Sequence, residues 1–314
     1  MIYVICNPAS RSGQGRRLWK KTKMILKNDK LEFRVYKTTL NRSATTITRA
    51  ILEHDNSSDI RLMVLGGDGT VNEVLQGFSD VDFERVILTY IPTGSSNDLA
   101  RANEYDKNMI TNICHLLYSE NYKYMDIGVL TYNKEETLGY SKRYFAVSTG
   151  IGYDAAVCQE VNTSKLKSIF NKIGLGKIIY LCIALKQLFE TPRCNMELTI
   201  DNGETIKLDK CLFASVLNHK FQGGGLMFCP DALADDGVLD ICYASGVSPF
   251  RVLTLLPLCY KGKHVGKKGI GIHTAKEVRI VSDIPLYVHT DGEVKTTATD
   301  ITVKVLAGKL RFTV

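Results

Sequence analysis

The stretch LGGDGTVNE, residues 65–73, joins a run of apolar residues to a helix-like segment through a glycine-rich turn. The run at 62–65 has the length and composition of a buried strand. Glycines let backbone N–H groups approach a phosphate closely, and the amino terminus of a following helix favours negative charge. Asp68 inside such an anion site is costly unless a cation or a reacting hydroxyl uses it. The stretch therefore predicts a phosphate site, with a plain strand–helix turn and a capping aspartate as the alternative.

Two further polar loops follow predicted strands in the same way. IPTGSSNDLAR, residues 91–101, ends the strand at 86–91 and opens a helix, although Ser-x-x-Asp is also a helix-capping pattern. NPASRSG, residues 7–13, follows the strand at 2–6. Strands and helices alternate through this region, which predicts an α/β nucleotide-binding domain with a Rossmann-like, mostly parallel sheet. Ligands of such sheets bind at the carboxyl edge of the strands, where these loops lie.

Beyond residue 124 the pattern changes to short strands separated by turn clusters such as DNG at 201–203 and DDG at 235–237. This pattern predicts a β-sandwich-like, all-β second domain, interrupted by helical stretches at 165–189 and 249–260. The expected domains are 1–124 and 125–314, with the carboxyl-terminal tail able to pack back on the first domain.

Composition narrows the class of protein. The chain has 314 residues, 45% of them hydrophobic, and a net charge of +7, which favours anionic partners such as nucleotides, nucleic acid or acidic lipid. No RNA- or DNA-binding motif is present, so a nucleic-acid partner is not predicted. No apolar stretch is long enough to span a bilayer. The nine cysteines are scattered without a CxxC pair, which is typical of reduced thiols in a cytoplasmic protein.

Five segments together resemble the diacylglycerol kinase catalytic-domain family, specifically the soluble bacterial lipid kinases, over nearly the whole chain. They are Asn7-Pro8-x-Ser10, GGDGT at 66–70, PTGSSND at 92–98, PDALADDG at 230–237 and DGE at 291–293, in the family's order and spacing. Ser95 stands where the family usually has threonine, which keeps the hydroxyl. Arg11 stands where glycine is common, so the first loop can approach phosphate by a side chain as well.

The resemblance implies transfer of the γ-phosphate of ATP to a lipid hydroxyl, with Mg²⁺ as cofactor. It implies an ATP site formed by Asn7, Pro8, Ala9, Ser10, Arg11, Thr38, Gly66, Gly67, Asp68, Gly69, Thr70, Val71, Asn72 and Ser95. Glu293 matches the residue proposed as general base, and Asp291 lies beside it. Asp68 is suited to hold a catalytic Mg²⁺ on the phosphates.

The resemblance also implies a second, structural magnesium site. It would be built from the Asp236 carboxylate and the backbone carbonyls of Leu233 and Val238, which are oxygen ligands that hard cations prefer. Without the resemblance, both DDG and DGE are typical of plain hairpin turns.

Two other functions stay open at this stage. An NAD kinase shares the GGDGT signature and the two-domain plan, but the segment 97–101 and the DDG motif favour the lipid kinases. A non-catalytic membrane-lipid-binding protein would be expected to lose Asp68 or Glu293, and both are present. Diacylglycerol, giving phosphatidic acid, is the favoured substrate, while a sphingoid base, phosphatidylglycerol and a polyprenol offer the same hydroxyl.

We expect a cytoplasmic protein that associates peripherally with the inner face of the membrane, with a homodimer as a common state in the family. Residues 165–180 mix lysine with large apolar residues, as interfacial segments do, and the alternative is a helix packed on its own domain. A second basic cluster, Lys261, Lys263, Lys267 and Lys268, has little apolar company in sequence and is more typical of a solvated loop.

Overall fold

The structure is a computed structural model that describes residues 1–104, 113–118, 122–134, 142–164, 176–201 and 203–313. It forms two compact units, one of residues 1–127 with 307–314 and one of residues 128–306. Most of the segment expected at the membrane, residues 165–175, lies outside the described residues.

The first unit alternates strands and helices. Its strands are β1 (Ile2–Cys6), β2 (Phe33–Lys37), β3 (Ile60–Gly66) and β4 (Val86–Pro92). Its helices are α1 (Ser10–Asn28), α2 (Ala44–His54), α3 (Asp68–Leu75), α4 (Asp82–Arg85), α5 (Asp98–Ala102) and α6 (Ile113–Tyr118). The strands pair in parallel in the order β2-β1-β3-β4. Residues 311–313, near the end of the chain, add a further parallel strand beside β4.

Burial explains this arrangement. Every residue of β1 and all but one of β3 are buried, so both strands need cover on their two faces, as continuous apolar runs in parallel sheets do. Helix α1 supplies part of that cover through Trp19 and Leu26. The helix is interrupted near its start, where Arg11, Ser12 and Gly13 have φ values of 41°, 56° and 95°. The regular part of the helix therefore begins after Gly13.

The second unit contains most of the remaining strands. They are β5 (Lys123–Tyr132), β6 (Lys142–Phe145), β7 (Ser148–Gly152), β8 (Cys194–Ile200), β9 (Glu204–Leu217), β10 (Phe221–Gln222), β11 (Leu226–Met227), β12 (Leu239–Ser245), β13 (Ile270–Ala275), β14 (Glu277–Thr290) and β15 (Glu293–Thr313). The first residues of β5 and the last of β15 belong to the first unit. Pairing among the strands of the second unit is antiparallel, so antiparallel pairs predominate in the described chain.

The second domain is not all-β, although two of the three helices that the structure describes there lie in the stretches that the sequence predicted as helical. The unit also contains α7 (Tyr153–Thr163), α8 (Gly176–Glu190) and α9 (Pro249–Cys259). One core cluster lies among strands, including Phe145, Leu198 and Ile280. A second packs helix residues such as Val157 and Val252 against β9 and β12. The helices are needed because β9 and β12 have apolar side chains on both faces, and each face must be covered.

Among the helices that the structure describes, none combines the length and apolar character needed to cross a bilayer.

Candidate active site

Three loops at the carboxyl ends of β1, β3 and β4 are tied to one another by hydrogen bonds. The backbone N–H of Asn7 donates to the carbonyl of Leu65 at 2.8 Å, and that of Thr93 donates to the carbonyl of Gly66 at 2.7 Å. Asn7 Nδ2 donates to Thr70 Oγ1 at 3.2 Å. The loops that carry the three sequence motifs therefore meet at one edge of the parallel strands.

The first and third of these loops are also joined directly. Ser10 Oγ and Thr93 Oγ1 lie 2.6 Å apart, and Ser10 Oγ donates to the carbonyl of Asn7 at 2.9 Å. Thr93 is buried, so its hydroxyl is committed to this contact. The contact between Ser10 and Thr93 fixes the distance between their two loops and involves no group of the glycine-rich turn after β3.

The glycine-rich turn and the loop after β4 approach each other at backbone distance. A Cβ built on Gly94 would lie 2.5 Å from the Cα of Gly67 and 2.7 Å from Asn97 Oδ1. No side chain can be accommodated at such distances, so glycine is required for this approach. The two motifs thus form adjoining walls of one site.

Asp68 binds the start of helix α5. Its carboxylate accepts the backbone N–H of Asp98 at 2.9 Å and of Leu99 at 3.4 Å. The buried Tyr90 hydroxyl donates to Asp68 Oδ1 at 3.4 Å. Asn97, which precedes the helix, has a left-handed φ of 51° and no capping hydrogen bond from its own side chain. Asp68 therefore supplies the cap of α5 from a distant part of the chain.

The structure distributes the predicted ATP-site residues unevenly. Asn7, Ser10 and Thr70 lie at the meeting point of the loops. The side chains of Val71 and Asn72 are buried within α3, and the backbone N–H of Val71 donates to the carbonyl of Gly67 at 3.2 Å. The remaining predicted residues lie in or beside the three loops or directly after β2: Pro8, Ala9, Gly67 and Ser95 between elements, Arg11 and Gly69 at the starts of α1 and α3, Gly66 at the end of β3, and Thr38 after β2.

Sequence reasoning named Ser95 but missed other residues of its loop. Thr93, Gly94 and Asn97 make the contacts that join this loop to its neighbours. All three residues lie within the PTGSSND motif, so the motif was the feature of the sequence that could have identified them. Glu73 was quoted within the first motif without a role, and its Oε2 accepts the backbone N–H of Ala44 at 2.8 Å. That contact caps α2 and fixes α3 against it.

In the second unit, the DGE motif forms a hairpin turn between β14 and β15. Asp291 and Gly292 have φ values of 49° and 84°, as a type I′ turn requires. The Asp291 carboxylate accepts three backbone N–H groups, from Ala146 at 2.9 Å, Val147 at 2.8 Å and Ser148 at 3.0 Å. Its oxygens are occupied in holding the turn, which argues against a role as proton acceptor.

Glu293 differs from Asp291 in this respect. Its side chain is half-buried, and among the described residues none is assigned a hydrogen bond to its carboxylate. The residue opens β15 immediately after the pinned turn, where it pairs with Thr290. A carboxylate held by rigid backbone with its oxygens available has the properties of a general base.

A buried polar cluster lies beneath this turn and was not predicted. Asp154 Oδ2 is within hydrogen-bonding distance of Ser215 Oγ at 2.5 Å, Gln222 Nε2 at 3.0 Å and His289 Nε2 at 3.1 Å. His289 Nδ1 accepts the backbone N–H of Gly292 at 3.2 Å, so Nε2 carries the proton shared with Asp154.

Electrostatics agree with an ionised Asp154. Burial raises the pKa of Asp154, but His289 and the hydrogen bonds from His289, Ser215 and Gln222 lower it more, so the pKa lies below its usual range. The cluster connects helix α7 to the DGE turn, because Asp154 of α7 contacts His289 and His289 accepts the N–H of Gly292.

The candidate structural metal site lies in the turn before β12. Asp236 is exposed, its Oδ1 accepts the backbone N–H of Val238 at 3.1 Å, and Leu233 is in the same turn. Burial, and then the negative charges of Asp236 and Asp231, raise the pKa of Asp240 to about 6. In the described part of the chain, no three acidic, histidine or cysteine side chains are grouped to hold a metal ion, so a cation at this turn would depend on Asp236 and on backbone carbonyls.

Two family models match the chain. The model described as "Diacylglycerol kinase catalytic domain" matches residues 1–130. The model described as "YegS C-terminal NAD kinase beta sandwich-like domain" matches residues 146–314, which is more than half of the chain. The carboxyl-terminal match bears out the predicted sandwich-like part of the fold.

Similar proteins agree with these matches. A Bacillus subtilis protein named "Putative lipid kinase YtlR" is 27% identical over 292 residues, covering 93% of both chains. A Mycobacterium tuberculosis protein named "Diacylglycerol kinase" is 29% identical over 233 residues, covering 74% of this chain and 70% of its own. A crystal structure of a diacylglycerol kinase from Bacillus anthracis superposes with a TM-score of 0.65 at 20% identity, covering 99% of this chain and 96% of the other, which establishes a common fold.

The chain therefore belongs to the diacylglycerol kinase catalytic-domain family. It is an enzyme, and its activity is that of a lipid kinase.

Proposed function

We propose that this lipid kinase transfers the γ-phosphate of ATP to the primary hydroxyl of diacylglycerol and forms phosphatidic acid. The observation that carries the proposal is the meeting of three glycine- and hydroxyl-rich loops at the carboxyl edge of β1, β3 and β4. That edge is where open α/β sheets bind nucleotides. The match to a diacylglycerol kinase catalytic domain supports the choice of lipid.

In this account the first unit is a Rossmann-like nucleotide-binding domain. The phosphates of ATP would lie against the amino terminus of α3, because the amino-terminal end of a helix dipole favours anions. Ser10, Thr70 and Ser95 would supply hydroxyl donors, and the close packing of Gly67 on Gly94 keeps bulk away from the phosphates. Asp68 would orient the loop before α5 and add negative charge near the phosphates.

Magnesium is the proposed cofactor, and when bound it would neutralise phosphate charge. Asp68 is the candidate ligand near ATP, although its carboxylate also caps α5. Asp236, with carbonyls of Leu233 and Val238, is the candidate for a structural ion in the second unit. The exposed Asp236 and the carboxylates around it support that assignment.

Glu293 is the proposed general base. It would accept the proton of the lipid hydroxyl while that oxygen attacks the γ-phosphorus. The bond between the γ-phosphorus and the oxygen that bridges the β- and γ-phosphates breaks, and ADP leaves with that oxygen. Asp291 would keep the turn rigid instead of taking the proton, because three backbone N–H groups occupy its oxygens. His289 and Asp154 would stabilise the turn from below.

We further propose a cytoplasmic enzyme that reaches its substrate by peripheral association with an anionic membrane, in a homodimeric state that light scattering would test. The net charge of +7 supports attraction to anionic lipid.

The substrate proposal is tested by assaying transfer from γ-labelled ATP to a panel of acceptors in mixed micelles. The panel contains diacylglycerol, a sphingoid base, phosphatidylglycerol and a polyprenol, with NAD as the control for a nucleotide kinase. We expect labelled phosphatidic acid as the main product. A preference for another lipid would correct the substrate, and labelling of NAD alone would overturn the proposal.

A further inference from the structure

Helix α9 and the loop after it, residues 249–268, form an exposed surface with a distinctive charge pattern. Residues 241–276 contain Arg251, Lys276 and the four lysines at 261, 263, 267 and 268, but no aspartate or glutamate. The whole chain holds 33 acidic residues, so a stretch of this length without one is a marked local excess of positive charge. All four loop lysines are exposed.

Large apolar side chains accompany these lysines on the surface. Phe250 is 72% exposed at the start of α9, Tyr260 is 56% exposed just after its end, and Val265 is 43% exposed among the lysines. The sequence suggested a solvated loop because few apolar residues lie among these lysines. In the structure, exposed apolar side chains of α9 and of the loop itself accompany the lysines.

A second element extends the apolar end of this surface. Phe189, near the end of α8, is 56% exposed, and its ring lies 6.1 Å from that of Phe250 in an edge-to-face arrangement. Glu190 follows it in sequence, and Lys186 lies 3.3 Å from this carboxylate and 2.7 Å from that of Glu160, so one lysine is shared by two acidic side chains. The two aromatic rings therefore form an exposed apolar patch at the end of α8 and the start of α9.

One face of α9 is exposed from Phe250 towards the loop that carries the lysines. Phe250, Thr254 and Pro257 are exposed and are separated by four and three residues, so they share this face of the helix. Val252, Leu255 and Cys259 occupy the opposite face and are buried. A helix rises 1.5 Å per residue, so the end of α9, where the loop with the lysines begins, lies about 14 Å from Phe250 along the axis.

We propose that this surface, formed by Phe189, Phe250, Tyr260, Val265 and the lysines at 261, 263, 267 and 268, docks the enzyme on an anionic lipid bilayer. Aromatic and aliphatic side chains enter the interfacial region of a bilayer, and lysines bind anionic head groups. Within residues 241–276 every charged side chain is basic, which favours the anionic head groups of a bilayer as the partner. The proposal deepens the membrane association suggested above and gives it a location.

The test is co-sedimentation with phosphatidylcholine vesicles, with and without about one-third phosphatidylglycerol, at low and high salt. The variant K261Q/K263Q/K267Q/K268Q should bind anionic vesicles at least tenfold more weakly, since each lysine near the surface contributes about fivefold. Phe250→Ala should weaken binding to both kinds of vesicle. The matched control, K20Q/K21Q/K23Q/K27Q, removes four exposed lysines from α1 and should bind as the wild type does.

Thermal unfolding checks that each variant is folded, and the rate on a water-soluble short-chain diacylglycerol checks the kinase separately. Loss of vesicle binding with an unchanged short-chain rate supports the docking surface. An inactive wild type whose vesicle binding still depends on these residues would overturn the kinase proposal and leave the surface intact. Equal binding by the wild type and the lysine variant, or binding of single-stranded RNA in preference to vesicles, would overturn the surface.

Discussion

The carboxylate of Asp68 accepts the backbone N–H of Asp98 at 2.9 Å and so joins two motifs that lie 30 residues apart. Asn97 precedes helix α5 and has a left-handed backbone conformation. Its side chain makes no capping hydrogen bond, so it provides no acceptor for the first N–H groups of the helix. Asp68 supplies that acceptor from the glycine-rich turn. The residue that the family resemblance assigns to chemistry is therefore also part of the scaffold.

Replacing Asp68 by Asn should lower both stability and activity. The amide keeps one acceptor oxygen but loses the charge that attracts the helix N–H groups, at a cost of about 1–2 kcal/mol in the free energy of unfolding. Loss of charge at the phosphate site should lower kcat by at least about 100-fold. Urea unfolding and steady-state kinetics measure the two effects.

Asp82→Asn provides the matched control for Asp68. Asp82 Oδ2 accepts the N–H and the hydroxyl of Ser79, at 2.7 and 2.6 Å, in the same unit. This variant should lose comparable stability and keep its kcat. Similar kcat losses in both variants would show that Asp68 acts on activity through stability alone.

Glu293→Gln should lower kcat by at least about 100-fold with little change in the Michaelis constant for ATP, because glutamine cannot accept the proton of the lipid hydroxyl. Its melting temperature should match that of the wild type, since none of the described residues is assigned a hydrogen bond to this carboxylate. Glu277→Gln, which removes the charge of a partly exposed carboxylate paired with Lys304 in the same unit, is the control. A fully active Glu293→Gln enzyme would remove the base assignment.

Magnesium should raise the melting temperature of the wild type more than that of Asp236→Ala. A cation bound only to the folded state at about 100 times its dissociation constant adds roughly 2.7 kcal/mol to the free energy of unfolding. Asp231→Ala removes a neighbouring exposed carboxylate and should keep most of the shift. Equal magnesium-induced shifts in the wild type and Asp236→Ala would mean that Asp236 holds no ion.

Acid should destabilise the protein through His219. Burial lowers the pKa of His219 to about 4, whereas an unfolded histidine titrates near 6.5. Between these values the unfolded chain binds a proton that the folded chain excludes, so stability is lost as the pH falls from about 6.5 to about 4. The full difference corresponds to roughly 3 kcal/mol. Urea unfolding at pH 7 and pH 4.5 should show a smaller loss for His219→Gln, and an identical loss would contradict the assignment.

Local signals in the sequence were sufficient for much of the framework. The strands at 2–6 and 62–65 were recognisable because apolar runs end directly in polar, glycine-containing loops. The turn at 291–293 could be predicted because Asp-Gly suits two successive positive φ values. Helix α7 was missed because it begins directly after strand β7, at Gly152 with φ of 105°, without a loop to separate them.

Contacts between distant segments could not be predicted from local patterns. Asp154 and His289 lie 135 residues apart in sequence, and neither belongs to a recognisable motif. The same holds for the three N–H groups that bind Asp291, which come from a segment about 145 residues earlier. These pairs form because both partners are brought together when the chain folds. The pattern of apolar and polar residues in either segment does not indicate which distant residue becomes the partner.

The most direct test of the central claim is the rate at which the purified protein transfers label from γ-labelled ATP to dioctanoylglycerol, measured beside Gly94→Ala. The account predicts labelled phosphatidic acid from the wild type. It predicts almost none from the variant, because the added Cβ would push Gly67 away and separate the phosphate-binding loops. Transfer by Gly94→Ala at the wild-type rate, or no transfer to the lipid by the wild type, would contradict it.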